Sequence, residues 1–140
     1  MLESVLYTAG AIANGGRDGR VISDDGNLNL RVATPVELGG AGGATNPEQL
    51  FAAGFAACFH NALLLVARQA RQDVTGSSVT ARVGIGKLTG SVGYSLRVDL
   101  AVELPGVALE AAHELIAKAD TICPYSNATR GNIVVTHQVG

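Results

Sequence analysis

Two sulfur atoms are the strongest claim this sequence makes to chemistry. Cys58 and Cys123 are its only cysteines, 65 residues apart. That separation excludes a CxxC redox motif and a compact zinc knuckle. A metal site needs about four ligands. The pool is Cys58, Cys123, His60, His113 and His137 with the carboxylates. Cys58 and His60 stand two apart on an apparent helix and so face different directions, which weakens a metal site. Serine-type catalysis has no G-x-S-x-G to support it, and there is no G-x-x-x-x-G-K-[ST] phosphate loop. The Gly39–Gly43 run precedes a helix but offers no lysine. Cys58 lies in an apolar stretch, where the plainer reading of a cysteine is a small buried hydrophobe. Cys123 opens the run Cys123-Pro124-Tyr125-Ser126-Asn127-Ala128-Thr129-Arg130-Gly131-Asn132, dense in hydrogen-bonding groups and unlike a core segment.

A thiol that attacks a peroxide has definite requirements. Its thiolate is the nucleophile, so a nearby cation or dipole must lower its pKa. A second thiol must capture the sulfenic acid before it oxidises further. The leaving oxygen must be stabilised as the O–O bond breaks. Arg17, in the glycine-rich turn Gly15-Gly16-Arg17-Asp18-Gly19, is free to reach. Glu48 lies at a helix start, where a carboxylate could hold a guanidinium as a bidentate pair. The plainer readings are a surface arginine and a glutamate on a helix dipole.

The elements that must position these groups are legible from pattern. Val5–Ala13 reads as a strand broken by Asn14-Gly15-Gly16; Val21–Ser23 and Leu28–Val32 follow as strands divided by Asp24-Asp25-Gly26-Asn27. Thr34–Asn46 reads as irregular, a glycine-rich loop docked on a partner subunit in preference to a flexible linker. Asn46-Pro47-Glu48-Gln49 starts a helix to about Ala70. On it Phe51, Gly54, Phe55, Cys58, Ala62 and Leu65 share a face, and its middle is apolar nearly all round, so it should be central and covered on most sides. Val79–Ile85 and Tyr94–Leu104 alternate as strands of an antiparallel hairpin. Ala108–Ile122 reads as a second helix with Leu109, Ala112, Leu115, Ile116 and Ala119 inward, ended by Cys123-Pro124, and Ile133–Val139 as a last strand. The order βββ–α–ββ–α–β predicts an α+β fold in a single domain over 1–140.

Composition sets the bounds. At 47% hydrophobic residues the chain has material for a core, so disorder is excluded. Only 16% of residues are charged, against a usual ~25%, which hints at a surface covered by another protein. A net charge of −2 and 4% aromatics argue against nucleic acid and anionic membranes. The apolar stretch Leu50–Val66 falls short of the ~20 residues a bilayer needs. Met1–Gly10 has an early Glu3, no basic region and no long apolar run, so a cytoplasmic location is expected, where a cysteine pair suggests redox or metal chemistry more than a staple.

Two long segments carry a resemblance. Asn46-Pro47-Glu48-Gln49-Leu50-Phe51-Ala52-Ala53-Gly54-Phe55-Ala56-Ala57-Cys58-Phe59 resembles the first cysteine motif of the organic hydroperoxide resistance proteins, and Cys123–Asn132 resembles their second. Gly15–Arg20 and Glu37-Leu38-Gly39-Gly40 are similar to further segments of that family, and the likeness spans essentially the whole chain. The osmotically inducible family shares the fold and both cysteines; the Cys123-Pro124-Tyr125-Ser126 form and the short chain favour the hydroperoxide branch.

The resemblance implies an intertwined homodimer of antiparallel sheets around a long central helix, with active sites at the interface. It implies a thiol peroxidase in which Cys58 attacks an organic hydroperoxide and becomes a sulfenic acid, and Cys123 resolves it as a Cys58–Cys123 disulfide. Arg17 and Glu48 match the charged pair that orients and activates the thiolate. The implied reductant is a dihydrolipoyl-type dithiol on a lipoylated protein, with no bound metal, haem or flavin. An apolar helix bearing Phe51, Phe55 and Phe59 would favour a greasy hydroperoxide. The competing expectations are an osmotically inducible-type peroxidase with another substrate preference, a non-enzymatic module for a hydrophobic ligand, and a metal-binding thiol protein.

Overall fold

β1 (Ala11–Asn14), β2 (Gly19–Ser23) and β3 (Asn29–Val32) form an antiparallel sheet in that order. They belong to the first of two units, Met1–Leu50 and Phe51–Gly140, into which the computed structural model, describing all 140 residues, divides. The β1–β2 turn is closed by glycine for steric reasons. Gly15 and Gly16 take φ of 82° and 59°, and a Cβ on Gly19 would stand 1.8 Å from the Asn14 carbonyl oxygen. The expected strand over Val5–Ala13 is shorter than its apolar pattern. Its partner β2 ends at Ser23, opposite Ala11, so Val5, Leu6 and Tyr7 have no neighbouring strand and are exposed. The stretch after β3 is no slack linker. A 3-10 turn covers Val36–Leu38, the Ala33 N–H donates to the Thr45 carbonyl at 2.9 Å and the Gly42 N–H to that of Thr34 at 3.0 Å.

α1 (Pro47–Gln69) starts where its signals place it: Pro47 opens it, and the Gln49 N–H donates to Asn46 Oδ1 at 2.9 Å. At its far end Arg71 takes φ 54°, a left-handed turn commonly given to glycine. At 23 residues it is longer than the apolar stretch Leu50–Val66, and by length and composition it could cross a bilayer, which corrects the expectation. Core helices meet the same condition, and one face of α1 is packed within the protein: Phe55, Phe59, Ala62, Leu63, Val66 and Ala67 are buried. Leu64 and Leu65 remain 37% and 39% exposed. Leu65, expected inward, lies off this face, and a helix covered on most sides is not what the single chain provides.

In the second unit β4 (Ser78–Lys87) and β5 (Tyr94–Glu103) pair antiparallel along their full length. The alternation of β5 turns Val98, Leu100 and Val102 into the core with no exposure. β6 (Val135–Val139) pairs with β5 in parallel, so the expected antiparallel sheets hold everywhere except at this edge. Parallel neighbours need a long crossover, and α2 (Leu109–Ile122) with α3 (Pro124–Thr129) supplies it. α2 buries Ala112, Leu115, Ile116 and Ala119; Leu109, in its first turn, is 64% exposed and not inward. α3 falls within the polar run Cys123–Asn132, for which the sequence pattern predicts no helix. Phe55 and Phe59, fully buried, each contribute about 1.5–3 kcal/mol of burial energy to this core.

Candidate active site

Each unit holds one constellation. In the first, the β1–β2 turn projects Arg17, whose Nη1 donates to Glu48 Oε2 at 2.8 Å and Nη2 to Glu48 Oε1 at 2.6 Å. This is the bidentate geometry expected, with Glu48 in the first turn of α1. The turn is tethered one residue on. The Asp18 carboxylate accepts from the Thr34 N–H at 3.1 Å and the Thr34 hydroxyl at 2.9 Å. Hydrogen bonding from Arg17 holds the Glu48 carboxyl below its ordinary value, and the same bond raises the Arg17 guanidinium further. A carboxylate with a lowered folded-state pKa stabilises fully above its unfolded value, near 4.5, and loses that contribution as pH falls through the folded value. Glu48→Gln is therefore expected to destabilise the protein by about 1 kcal/mol at pH 7, the solvent around Arg17 limiting the effect. Urea unfolding should show the gap from the parent narrowing below pH 4.5 and closing in stronger acid. A pH-independent gap would assign the loss to packing.

The second unit brings the two sulfurs together. Cys58, in the middle of α1, is half-buried; Cys123, fully buried, caps the end of α2 and the start of α3. Their Sγ atoms are 3.7 Å apart, with the Cys123 thiol donating to Cys58. The backbone N–H of Tyr125, at the start of α3, acts on the Cys58 thiol. Burial raises the Cys58 thiol above its ordinary value, the Tyr125 N–H lowers it, and the neighbouring Cys123 raises it again. The lowered thiol that the chemistry asks for is thus not a property of the surroundings of Cys58 in the second unit, where desolvation outweighs the one N–H.

Sequence reasoning missed two contributors, Tyr125 and Gly54. A backbone N–H has no residue type to betray it, although a cysteine followed by proline and a polar run is the signature of a new helix start. The Tyr125 ring packs with Phe51 and Phe55, at centroid distances of 6.1 and 5.7 Å. It lies against α1 at Gly54, where a Cβ would stand 2.8 Å from the Tyr125 hydroxyl oxygen and 3.1 Å from the ring. Glycine inside a helix costs about 0.5–1 kcal/mol relative to alanine, and this close approach accounts for it. Gly54→Ala is expected to push Tyr125 away and weaken the effect of its N–H on the Cys58 thiol. A hydrogen bond is worth about 1 kcal/mol, so the pH profile of Cys58 alkylation by iodoacetamide should move upward by somewhat under one unit. An unchanged profile would mean that the ring yields while the N–H stays.

The remaining candidates disperse. His60 Nε2 is 3.0 Å from Ser77 Oγ, so His60 is a satisfied, half-buried histidine, and its neighbour Asn61 is exposed. His113 is exposed on α2. His137, on β6, packs its ring against Phe59 at 5.4 Å. No three histidine, cysteine or acidic side chains gather as a metal-ligand group.

Residues 40–138 match the family of OsmC-like proteins. The chain is 52% identical over 136 residues to the organic hydroperoxide resistance protein of Xanthomonas axonopodis pv. citri, covering 96% of this chain and 94% of that one. It is 50% identical over 140 residues to the organic hydroperoxide resistance protein OhrA of Bacillus subtilis, covering 99% of each. Among solved structures it is similar to an organic hydroperoxide resistance protein from Elizabethkingia anophelis, at a TM-score of 0.92 and 51% identity over 97% of both chains.

Proposed function

We propose, given that the chain belongs to the OsmC-like family and to its organic hydroperoxide resistance branch, that it detoxifies organic hydroperoxides as a cysteine-based peroxidase. The observation that carries this reading is the 3.7 Å approach of two free thiols from positions 65 residues apart. A disulfide needs about 2.05 Å between sulfurs, so they are one small movement from bonding.

In this reading the Cys58 thiolate attacks the distal oxygen of the hydroperoxide. The O–O bond breaks, the alkoxide leaves and takes a proton to become the alcohol, and Cys58 holds the oxygen as a sulfenic acid. Cys123 then attacks the sulfenyl sulfur, hydroxide leaves as water with a proton, and the Cys58–Cys123 disulfide forms. A dihydrolipoyl-type dithiol, presented by a lipoylated protein, exchanges with that disulfide and restores both thiols. Arg17 and Glu48 take the part of the family's charged pair. Glu48 orients the guanidinium, and the part of that pair in the family is to favour the thiolate. Phe51 and Tyr125, backed by the fully buried Phe55, form an apolar wall suited to an alkyl or lipid chain. The working form is a homodimer in the cytoplasm. Large apolar side chains left exposed, among them Ile12, Val36, Leu64 and Leu65, supply surface for a second copy.

The test is consumption of cumene hydroperoxide by the purified protein with dihydrolipoamide. Many turnovers per subunit are expected, and a protein that binds the hydroperoxide without consuming it would be a ligand carrier instead. Arg17→Ala should slow the first oxidation of Cys58 by roughly 10–1,000-fold, the range associated with losing one electrostatic contact to the reacting centre. A parent-like second-order rate in a stopped-flow measurement would remove Arg17 from the mechanism.

A further inference from the structure

The chain turns a corner at Cys123. This residue is extended, with φ −67° and ψ 120°, between the last residue of α2 and Pro124 at the start of α3. A helix ends with four carbonyls lacking internal donors and with negative charge at its last turn, and α2 has no basic residue there. The missing cation arrives from beyond α3. Arg130 Nη2 donates to the Asp120 carbonyl at 2.7 Å and to Asp120 Oδ2 at 3.1 Å, while its Nη1 donates to Asn127 Oδ1 at 2.7 Å. Asn127 Nδ2 in turn donates to the Thr121 carbonyl at 3.2 Å. The end of α2 is thus tied to the end of α3, with Cys123 at the bend between them.

Cys123 is buried in the core, but the end of α3 beyond it is less closely packed. A cavity of about 130 Å3 lies between the end of α3 and β6, lined by Ser126, Thr129, Ile133, Val135 and His137 together with Asp120 and Arg130. Where atoms are missing from one side, close contact cannot hold a position. A helix of six residues is also too short to be stable by itself. His137 Nε2 approaches Asp120 Oδ1 at 3.4 Å but is not aligned to hydrogen-bond it, so the side-chain bonds across the corner are those of Arg130 and Asn127, beside the backbone bonds from the Cys123 N–H to the Ala119 carbonyl at 2.9 Å and from the Asn127 N–H to the Cys123 carbonyl at 3.0 Å.

We propose that Arg130, with Asp120 and Asn127, is a clasp that positions Cys123 for closure of the disulfide with Cys58. This rests on the peroxidase reading for its biological purpose. Its physical content is that the Cys123 sulfur is held in contact with the Cys58 sulfur, so that attack on the sulfenyl sulfur outpaces a second oxidation. The bond formed is S–S, the bond broken is the sulfenyl S–O, and the departing hydroxide takes the Cys123 proton as water. Arg130 and Asp120 are positioning residues; neither touches the reacting sulfurs.

The test separates the two chemical steps in parent, Arg130→Ala, Arg130→Lys, Asn127→Ala and Asp120→Asn proteins. Stopped-flow measurement reads the oxidation of Cys58 by cumene hydroperoxide, and mass spectrometry reads the disulfide and any sulfinic acid on Cys58. Arg130→Ala should leave the first step within about twofold of the parent and slow closure about tenfold or more, the scale on which small misplacements act. Sulfinic acid should then accumulate at hydroperoxide levels the parent survives. Arg130→Lys, Asn127→Ala and Asp120→Asn, each of which weakens one contact of the clasp, should fall between. A second arm uses diamide, which takes two electrons and two protons from the thiol pair to become the hydrazine. It reads closure without any hydroperoxide. A parent that closes with diamide but ignores hydroperoxide would sink the peroxidase reading and leave the clasp to be judged on the diamide rates. Parent-rate closure of Arg130→Ala in the diamide arm would overturn the clasp. So would equal slowing of both steps, which is a general loosening. Should Arg130→Ala fail to fold, parent-rate closure in both Arg130→Lys and Asn127→Ala overturns it equally.

Discussion

Cys58→Ser protein is expected to lose dithiol-dependent consumption of cumene hydroperoxide by roughly 1,000-fold or more, while remaining folded. Sulfur reacts here because a thiolate forms within reach of neutral pH and is intrinsically nucleophilic, whereas a serine hydroxyl is a weak nucleophile at its own pKa. The oxygen atom also cannot accept the transferred oxygen as a sulfenic acid, so even a slow attack would give no intermediate for Cys123 to resolve. The structural cost is small by comparison. Cys58 is half-buried, and a serine hydroxyl is close to its size and can both donate and accept hydrogen bonds there. Thermal unfolding should confirm that the loss is chemical. Retention of more than about a tenth of parent turnover would place the peroxidatic centre elsewhere, since no proximity effect at Cys58 could then be carrying the rate.

What the sequence discloses depends on how each feature is encoded. The start of α1 is written in side chains, as Asn46-Pro47-Glu48-Gln49, and the helix begins at Pro47. The burial of β5 is written in its alternation, with Val98, Leu100 and Val102 fully inward. The direction in which β6 pairs is not written there, because period-two alternation is the same for parallel and antiparallel neighbours. α3 escapes because six residues make under two turns, too few for a periodic pattern. Leu65 shows a related limit. A helix apolar nearly all round does not declare which of its leucines the chain itself will cover, and Leu65 stays 39% exposed. At the site, Arg17 and Glu48 declare themselves through charge, whereas spacing alone leaves Cys58 and Cys123 as two distant thiols. Their meeting is set by the crossover that returns the chain to α1, and Tyr125 contributes through its backbone, which no residue type reveals.

Cys123→Ser protein should consume one equivalent of hydroperoxide per subunit at close to the parent's initial rate and then stop. In the proposed cycle the first step belongs to Cys58. In the parent, charge on Cys123 raises the Cys58 thiol, so removing that thiol takes away one cause that disfavours the attacking thiolate. The second step loses its nucleophile. A serine hydroxyl in the fully buried place of Cys123 cannot displace hydroxide from the sulfenyl sulfur, so the sulfenic acid persists. Dimedone should trap it on Cys58 after one equivalent, and excess hydroperoxide should drive it to sulfinic acid, which the dithiol does not reverse. The contrast with Cys58→Ser is diagnostic, because one variant fails before any peroxide is reduced and the other immediately after the first. Sustained parent-like turnover of Cys123→Ser with dihydrolipoamide would mean that the external dithiol attacks the sulfenic acid directly. The 3.7 Å approach of the two sulfurs would then have a use other than resolution.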